Sequence, residues 1–94
     1  MPLTFVLQQN YPNPFNPITE IAYTIPQNAH VSLNIYDLSG RFVKKLIEAQ
    51  QEQGQHHVTW DGTDAGGNVI ASGIYSYRLQ AGDQTAVRKM AILK

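Results

Sequence analysis

Three observations in this 94-residue chain predict an all-β fold, an antiparallel β-sandwich of immunoglobulin type with about seven short strands. Apolar residues recur with a period of two almost throughout, as in strands with one face buried. Turn-forming residues punctuate these runs about every 8 to 12 residues. The chain opens on a proline-rich run, Asn10 to Pro17, that can form neither a helix nor a regularly paired central strand.

The elements follow in order. Residues 1–17 form a stiff lead-in, and the rigidity of its prolines lowers the entropy lost on docking, so Tyr11 and Phe15 are expected to staple it onto the core. Residues 18–94 form the sandwich. Its first run alternates Ile21, Tyr23 and Ile25 with Glu20, Ala22 and Thr24. Pro26 to Ala29 then breaks the chain before Val31, Leu33 and Ile35 resume the alternation. Asp37-Leu38-Ser39-Gly40 carries Asp and Gly at the first and fourth places of a type I turn. Residues 41–53 are ambiguous, since Phe42, Val43, Leu46 and Ile47 also suit a short helix. With strands on both sides, a strand running into a solvated turn over Gln50 to Gly54 is expected. Val58 and Trp60, then Tyr75, Tyr77 and Leu79, supply two further alternating runs, and Gly82-Asp83 is a two-residue hairpin signal. No repeat or low-complexity tract interrupts the order.

Composition narrows the function. Seven Lys and Arg balance seven Asp and Glu, so there is no basic surface for nucleic acid. The chain has no cysteine, which removes disulfides, thiolate metal ligands and a cysteine nucleophile together. Neither a basic leader nor an apolar run of about 18 residues is present, so no signal peptide and no transmembrane segment is read here. For an excised module the signal peptide would lie upstream.

No catalytic constellation emerges. No serine sits in a Gly-x-Ser-x-Gly turn and no glycine-rich loop opens a helix. His56 and His57 are neighbours in a strand and face opposite ways, which leaves His30 alone and a three-histidine zinc site unformed. The loop Asp61 to Asn68 carries oxygen ligands, but without the spacing and bidentate Glu of a calcium loop it reads as turn chemistry. No enzyme, cofactor or metal site is expected. Trp60 ends an alternating strand and is expected in the core, while a sugar-stacking platform is the alternative. Seven of the nine aromatics, Tyr11, Phe15, Tyr23, Phe42, Trp60, Tyr75 and Tyr77, are assigned to the buried face or the lead-in staple.

Several motifs stand in a fixed order: Tyr11 to Pro17, Ile21-Ala22-Tyr23, Pro26, Ile35-Tyr36-Asp37, Gly40-Arg41, Trp60-Asp61-Gly62, Ser72 to Arg78, and Lys89-Met90. Over roughly residues 6–94 this order resembles the type A C-terminal sorting domain of the type IX secretion system, a family similar in fold to the immunoglobulin-like domain of the flagellar hook-capping protein. The resemblance implies a C-terminal module of a larger secreted protein, with an N-terminal cargo domain before it. Its implied partners are the outer-membrane translocon and a sortase-like peptidase, and its implied location is the cell surface or the medium, reached through the periplasm. By position, Gly73 and Tyr75 match the family's Gly-x-Tyr element, and Lys89 to Lys94 match its basic terminal strand. The recognition residues that the resemblance implies are therefore Gly73, Tyr75, Lys89 and Lys94, in a chain expected to be a monomer. Their structural readings stand beside this one: a strand start that needs glycine for Gly73, core packing for Tyr75, and edge charges that discourage aggregation for Lys89 and Lys94. A carbohydrate-binding or spacer module appended to a secreted glycoside hydrolase is the alternative.

Overall fold

The structure, a computed structural model, describes residues 4–14 and 18–93. Seven strands follow in sequence: β1 (Val6–Leu7), β2 (Thr19–Ile25), β3 (Ala29–Asp37), β4 (Phe42–Gln51), β5 (Gly54–Trp60), β6 (Gly73–Ala81) and β7 (Gln84–Ile92). They form two antiparallel sheets, ordered β1-β2-β5 and β4-β3-β6-β7, as the period of two requires. The alternation predicts the core correctly. Ile21, Tyr23 and Ile25 from the first sheet face Val31, Leu33, Ile35, Tyr77 and Leu79 from the second, all buried. The turn at Asp37 closes with Gly40 N–H donating to Asp37 O at 3.0 Å, and β6 and β7 join through Gly82, whose φ of +61° suits glycine in a two-residue hairpin.

The ambiguous segment is a strand whose alternation is twice interrupted. The register of β3 against β4 shifts between Leu33 and Asn34 and again between Ile35 and Tyr36. Each shift adds a residue to β4, a β-bulge. That explains the helix-like spacing: Val43 is buried while Leu46 and Ile47, adjacent in sequence, both pack against the core. The expected solvated turn over Gln50 to Gly54 is corrected. Gln50 and Gln51 pair with His30 and Ala29, so the turn shrinks to Glu52 and Gln53.

Two aromatic placements are also corrected. Phe42 is 52% exposed, because Val43 takes the inward position and its neighbour must face out, where Phe42 packs edge-on against Tyr36. Tyr11 is 81% exposed and staples nothing, while Phe15 lies outside the described residues. The lead-in is tied down by its backbone and its amides instead. Val6 and Leu7 pair with Thr24 and Tyr23, Tyr11 bridges Glu20 in both directions at 2.9 Å, and Leu7 enters the core. Asn10 takes the buried place between the sheets, only 2% exposed. Its Nδ2 donates to Thr19 Oγ1 at 3.0 Å and Pro12 O at 3.2 Å, its Oδ1 accepts from Gln9, and its N–H donates to the Tyr77 hydroxyl at 2.8 Å. Tyr77 in turn donates to Gln8 O at 2.7 Å. A buried amide with every atom satisfied is stable where an unpaired one is not. The Tyr11–Pro12 and Asn13–Pro14 bonds are cis.

Candidate functional site

Three of the four expected recognition residues meet at one end of the four-stranded sheet. Gly73 opens β6 with a φ of +156°, a conformation L side chains rarely adopt, and the Cβ of any other residue there would lie 3.9 Å from the Tyr75 ring. Glycine is needed at this strand start for its backbone. Two residues on, Tyr75 donates its hydroxyl to Ala71 O at 2.8 Å, four residues upstream, which pins the incoming loop to the strand as a tyrosine corner does in immunoglobulin sandwiches. The Tyr75 ring meets Trp60 edge to face, centroids 6.3 Å apart. Lys89 lies across from Ser76 on β7, exposed. Lys94 lies outside the described residues.

The Asp37–Gly40 turn closes around these residues. Asp37, Leu38, Ile74 and Tyr75 line two adjoining shallow grooves, one ending at Gly73 and the other at Lys89. Leu38 is 74% exposed at the tip of its turn and Ile74 is 43% exposed beside it. Sequence reasoning missed both. The available signal was an apolar side chain between the Asp and Gly of a turn, a place with no core to enter.

The rim has fixed electrostatics. The Ser39 hydroxyl, followed by the Arg41 N–H, donates to the Asp37 carboxylate and holds it below the usual carboxylate range. Burial first, and the Asp37 charge second, push the Tyr75 phenol above its ordinary value. Tyr75 therefore stays neutral while Asp37 stays ionised, so the rim presents one carboxylate, one exposed ammonium and two exposed aliphatic side chains. This arrangement can bind through charge and apolar contact.

The remaining candidates are placed elsewhere. Trp60 is 1% exposed and its indole N–H donates to Thr63 O at 2.9 Å, so it is a core residue, as its strand position predicts. In the loop from Asp61 to Asn68 each carboxylate serves the turn. Asp61 Oδ1 accepts from the Thr63 N–H and hydroxyl, and Asp64 Oδ1 accepts from the N–H groups of Gly66 and Asn68, both at 2.9 Å. His56 stacks on Tyr23 while His57 faces outward.

Comparison with known proteins adds family and fold. The FlgD Ig-like domain matches residues 17–85. No curated protein matches. Among solved structures, FlgD from Xanthomonas campestris, described as a hook-capping protein essential for flagellar assembly, superposes with a TM-score of 0.65 at 26% identity over 96% of this chain and 66% of its own. Dimeric latent PorU from Porphyromonas gingivalis superposes with a TM-score of 0.78 at 21% identity over 99% of this chain. PorZ, an essential bacterial surface component of the type IX secretion system of the same organism, does so with a TM-score of 0.62 at 24% identity over 96%. The chain spans 10% of the PorU chain and 11% of the PorZ chain, and at these identities the likeness is one of fold.

Proposed function

The chain belongs to the FlgD Ig-like domain family, and we propose that it serves as a non-catalytic sorting and surface-attachment module of a larger secreted protein, read by the type IX translocon. The observation that carries this reading is that the turn carrying the exposed Leu38 is brought against Gly73, the exposed Ile74 and Tyr75 at the start of β6 and Lys89 on the neighbouring β7. Exposed apolar side chains beside a charge mark a surface suited to a partner. The ordered motifs and a domain of the same fold within a type IX surface component support it further. In this reading a cargo domain precedes the module, a sortase-like peptidase acts after the translocon, and the product reaches the surface through the periplasm.

A reporter with an ordinary signal peptide, fused ahead of this chain in a host with the type IX system, is expected to cross the outer membrane. Lys89→Glu together with Leu38→Ser should leave at least about half of it in the periplasm, with an unchanged melting temperature, because both side chains are exposed and touch little of the fold. Periplasmic retention of the intact fusion, or full export of the substituted one, overturns the reading.

The likeness to FlgD favours a second reading, an assembly or spacer module without an export role, which the same fusion distinguishes. The carbohydrate-module alternative is weakened by the burial of Trp60 and the covering of the Tyr36 ring by Arg78, 5.1 Å from its centroid. Calorimetric titration with cello- and xylo-oligosaccharides is expected to show no saturable heat.

A further inference from the structure

β7 is an edge strand, and its outward backbone groups divide into a covered half and an open half. Lys89 O accepts from Gln9 Nε2 at 2.7 Å, and the Ala91 N–H donates to Asn13 Oδ1 at 2.9 Å. In an antiparallel strand both backbone groups of alternate residues point to the same side, so Thr85 and Val87 aim theirs outward with Lys89 and Ala91. Among the described residues none supplies a partner to the outward groups of Thr85 or Val87. The covering is done by side-chain amides rather than by a strand. One amide donates to a carbonyl and the other accepts from an N–H, which is what the backbone of a paired strand would do at those two places. Arg88, donating to Leu7 O, ties the same segment to β1.

We propose that the lead-in is a displaceable cap on the edge of β7, and that the partner competing with it is an extended peptide segment that adds to β7 by backbone pairing, entering at Thr85–Val87 and displacing Gln9 and Asn13. This deepens the sorting reading and rests on it for the partner's identity, while the cap itself is a property of the isolated protein. The physical basis is an imbalance of contacts. A strand entering along Thr85 to Ala91 makes a full ladder of bonds on this edge, whereas the lead-in makes two here and keeps its anchors at Asn10 and β1. Release of the cap therefore does not require release of the lead-in from the fold. Whatever pulls on or replaces the chain ahead of residue 14 acts directly on the acceptance of a strand at the other end of the sequence.

The test uses the whole 94-residue protein and a synthetic peptide copying residues 84–93 as the probe strand. In Gln9→Ala/Asn13→Ala the peptide should bind about tenfold more tightly than in the parent by fluorescence anisotropy, from loss of the two edge hydrogen bonds at roughly 0.7 kcal/mol each, and in Asn13→Ala alone, which leaves the Gln9 bond to Asn10 Oδ1 in place, about threefold more tightly. Hydrogen exchange should show the Ala91 amide at least about fivefold faster in that variant, while the Met90 amide, which faces β6, is unchanged. Asn13→Asp keeps the accepting oxygen and should retain protection of Ala91. Gln9→Glu removes the donor, and should weaken the cap even with Asn13 intact. Equal peptide affinity for parent and double variant, or an Ala91 amide indifferent to Asn13→Ala, overturns the cap. Neither result touches the reporter experiment, so loss of the cap and loss of the sorting reading are separately visible.

Discussion

Asn10 and Tyr77 show at the level of single residues why a buried polar pair can hold a fold together. The Tyr77 hydroxyl accepts from the Asn10 N–H and donates to Gln8 O, joining the lead-in to the centre of the second sheet. Burial first raises the Tyr77 phenol above its ordinary value, against the lowering effect of the Asn10 bond, so it remains a donor at any physiological pH. Tyr77→Phe removes one oxygen and strands two backbone groups, and is expected to destabilise by about 1 to 3 kcal/mol in urea unfolding. Gly73→Ala acts differently. An added Cβ meets only ordinary contact with Tyr75, so the cost lies in the backbone at φ +156°, and a loss of about 1 to 3 kcal/mol is expected by the same measurement. Both sites were visible as residue types in the chain. The hydrogen bonds of Asn10 were not, because its partners Tyr77 and Thr19 lie in two different strands.

Among the elements, the lead-in and β4 depart most from what local pattern implies. Prolines imply an irregular lead-in; among its described residues what docks it is Leu7, Asn10 and a short ladder from β1 to β2 rather than Tyr11. Alternation explains the reversal, since a chain that points Asn10 inward must point Tyr11 outward. Truncation of residues 1–17 should remove about 2 kcal/mol through Leu7 alone and so lower the melting temperature by at least about 8 °C. An unchanged melting temperature contradicts the ladder. In β4 the two bulges cannot be read from sequence, because an inserted residue is defined against the partner strand and not by its own chemistry. The hairpin at Gly82 and the turn at Asp37 were legible, since both are set by a few adjacent residues.

For the whole molecule, the ionisable groups define a broad plateau of stability. Hydrogen bonds from Ser39 to Asp37, from Thr63 to Asp61, from the Asn68 N–H to Asp64 and from Lys45 to Glu48 hold these carboxylates below their ordinary range. A depressed carboxylate contributes stability above its unfolded value, about 4, and that contribution is lost as pH falls through the lower folded values. Tyr23, Tyr75 and Tyr77 are raised, each first by burial. Their contribution is complete below the unfolded value of about 10 and is lost as pH rises through the higher folded values. Urea midpoints should therefore fall at about pH 3 and again at about pH 11 relative to neutrality. The acid-side loss should be modest and salt-dependent, because all four carboxylates are exposed.

Sequence alone determined the all-β class, the core of Ile21, Tyr23, Ile25, Val31, Leu33, Ile35, Trp60, Tyr77 and Leu79, and the turns at Asp37 and Gly82. Each is legible because an alternating face or a turn is encoded within a few neighbouring residues. Tertiary structure decided that Leu38 and Ile74 join Gly73, Tyr75 and Lys89 on one rim, and that Gln9 and Asn13 cover the edge of β7. The contacts of Leu38 with β6 and of Gln9 and Asn13 with β7 join segments 35 to about 80 residues apart, set by which strands become neighbours in the second sheet and at its flank. No local pattern specifies that pairing, since every strand here offers the same period of two, and only the packing of both sheets around one core selects the order β4-β3-β6-β7.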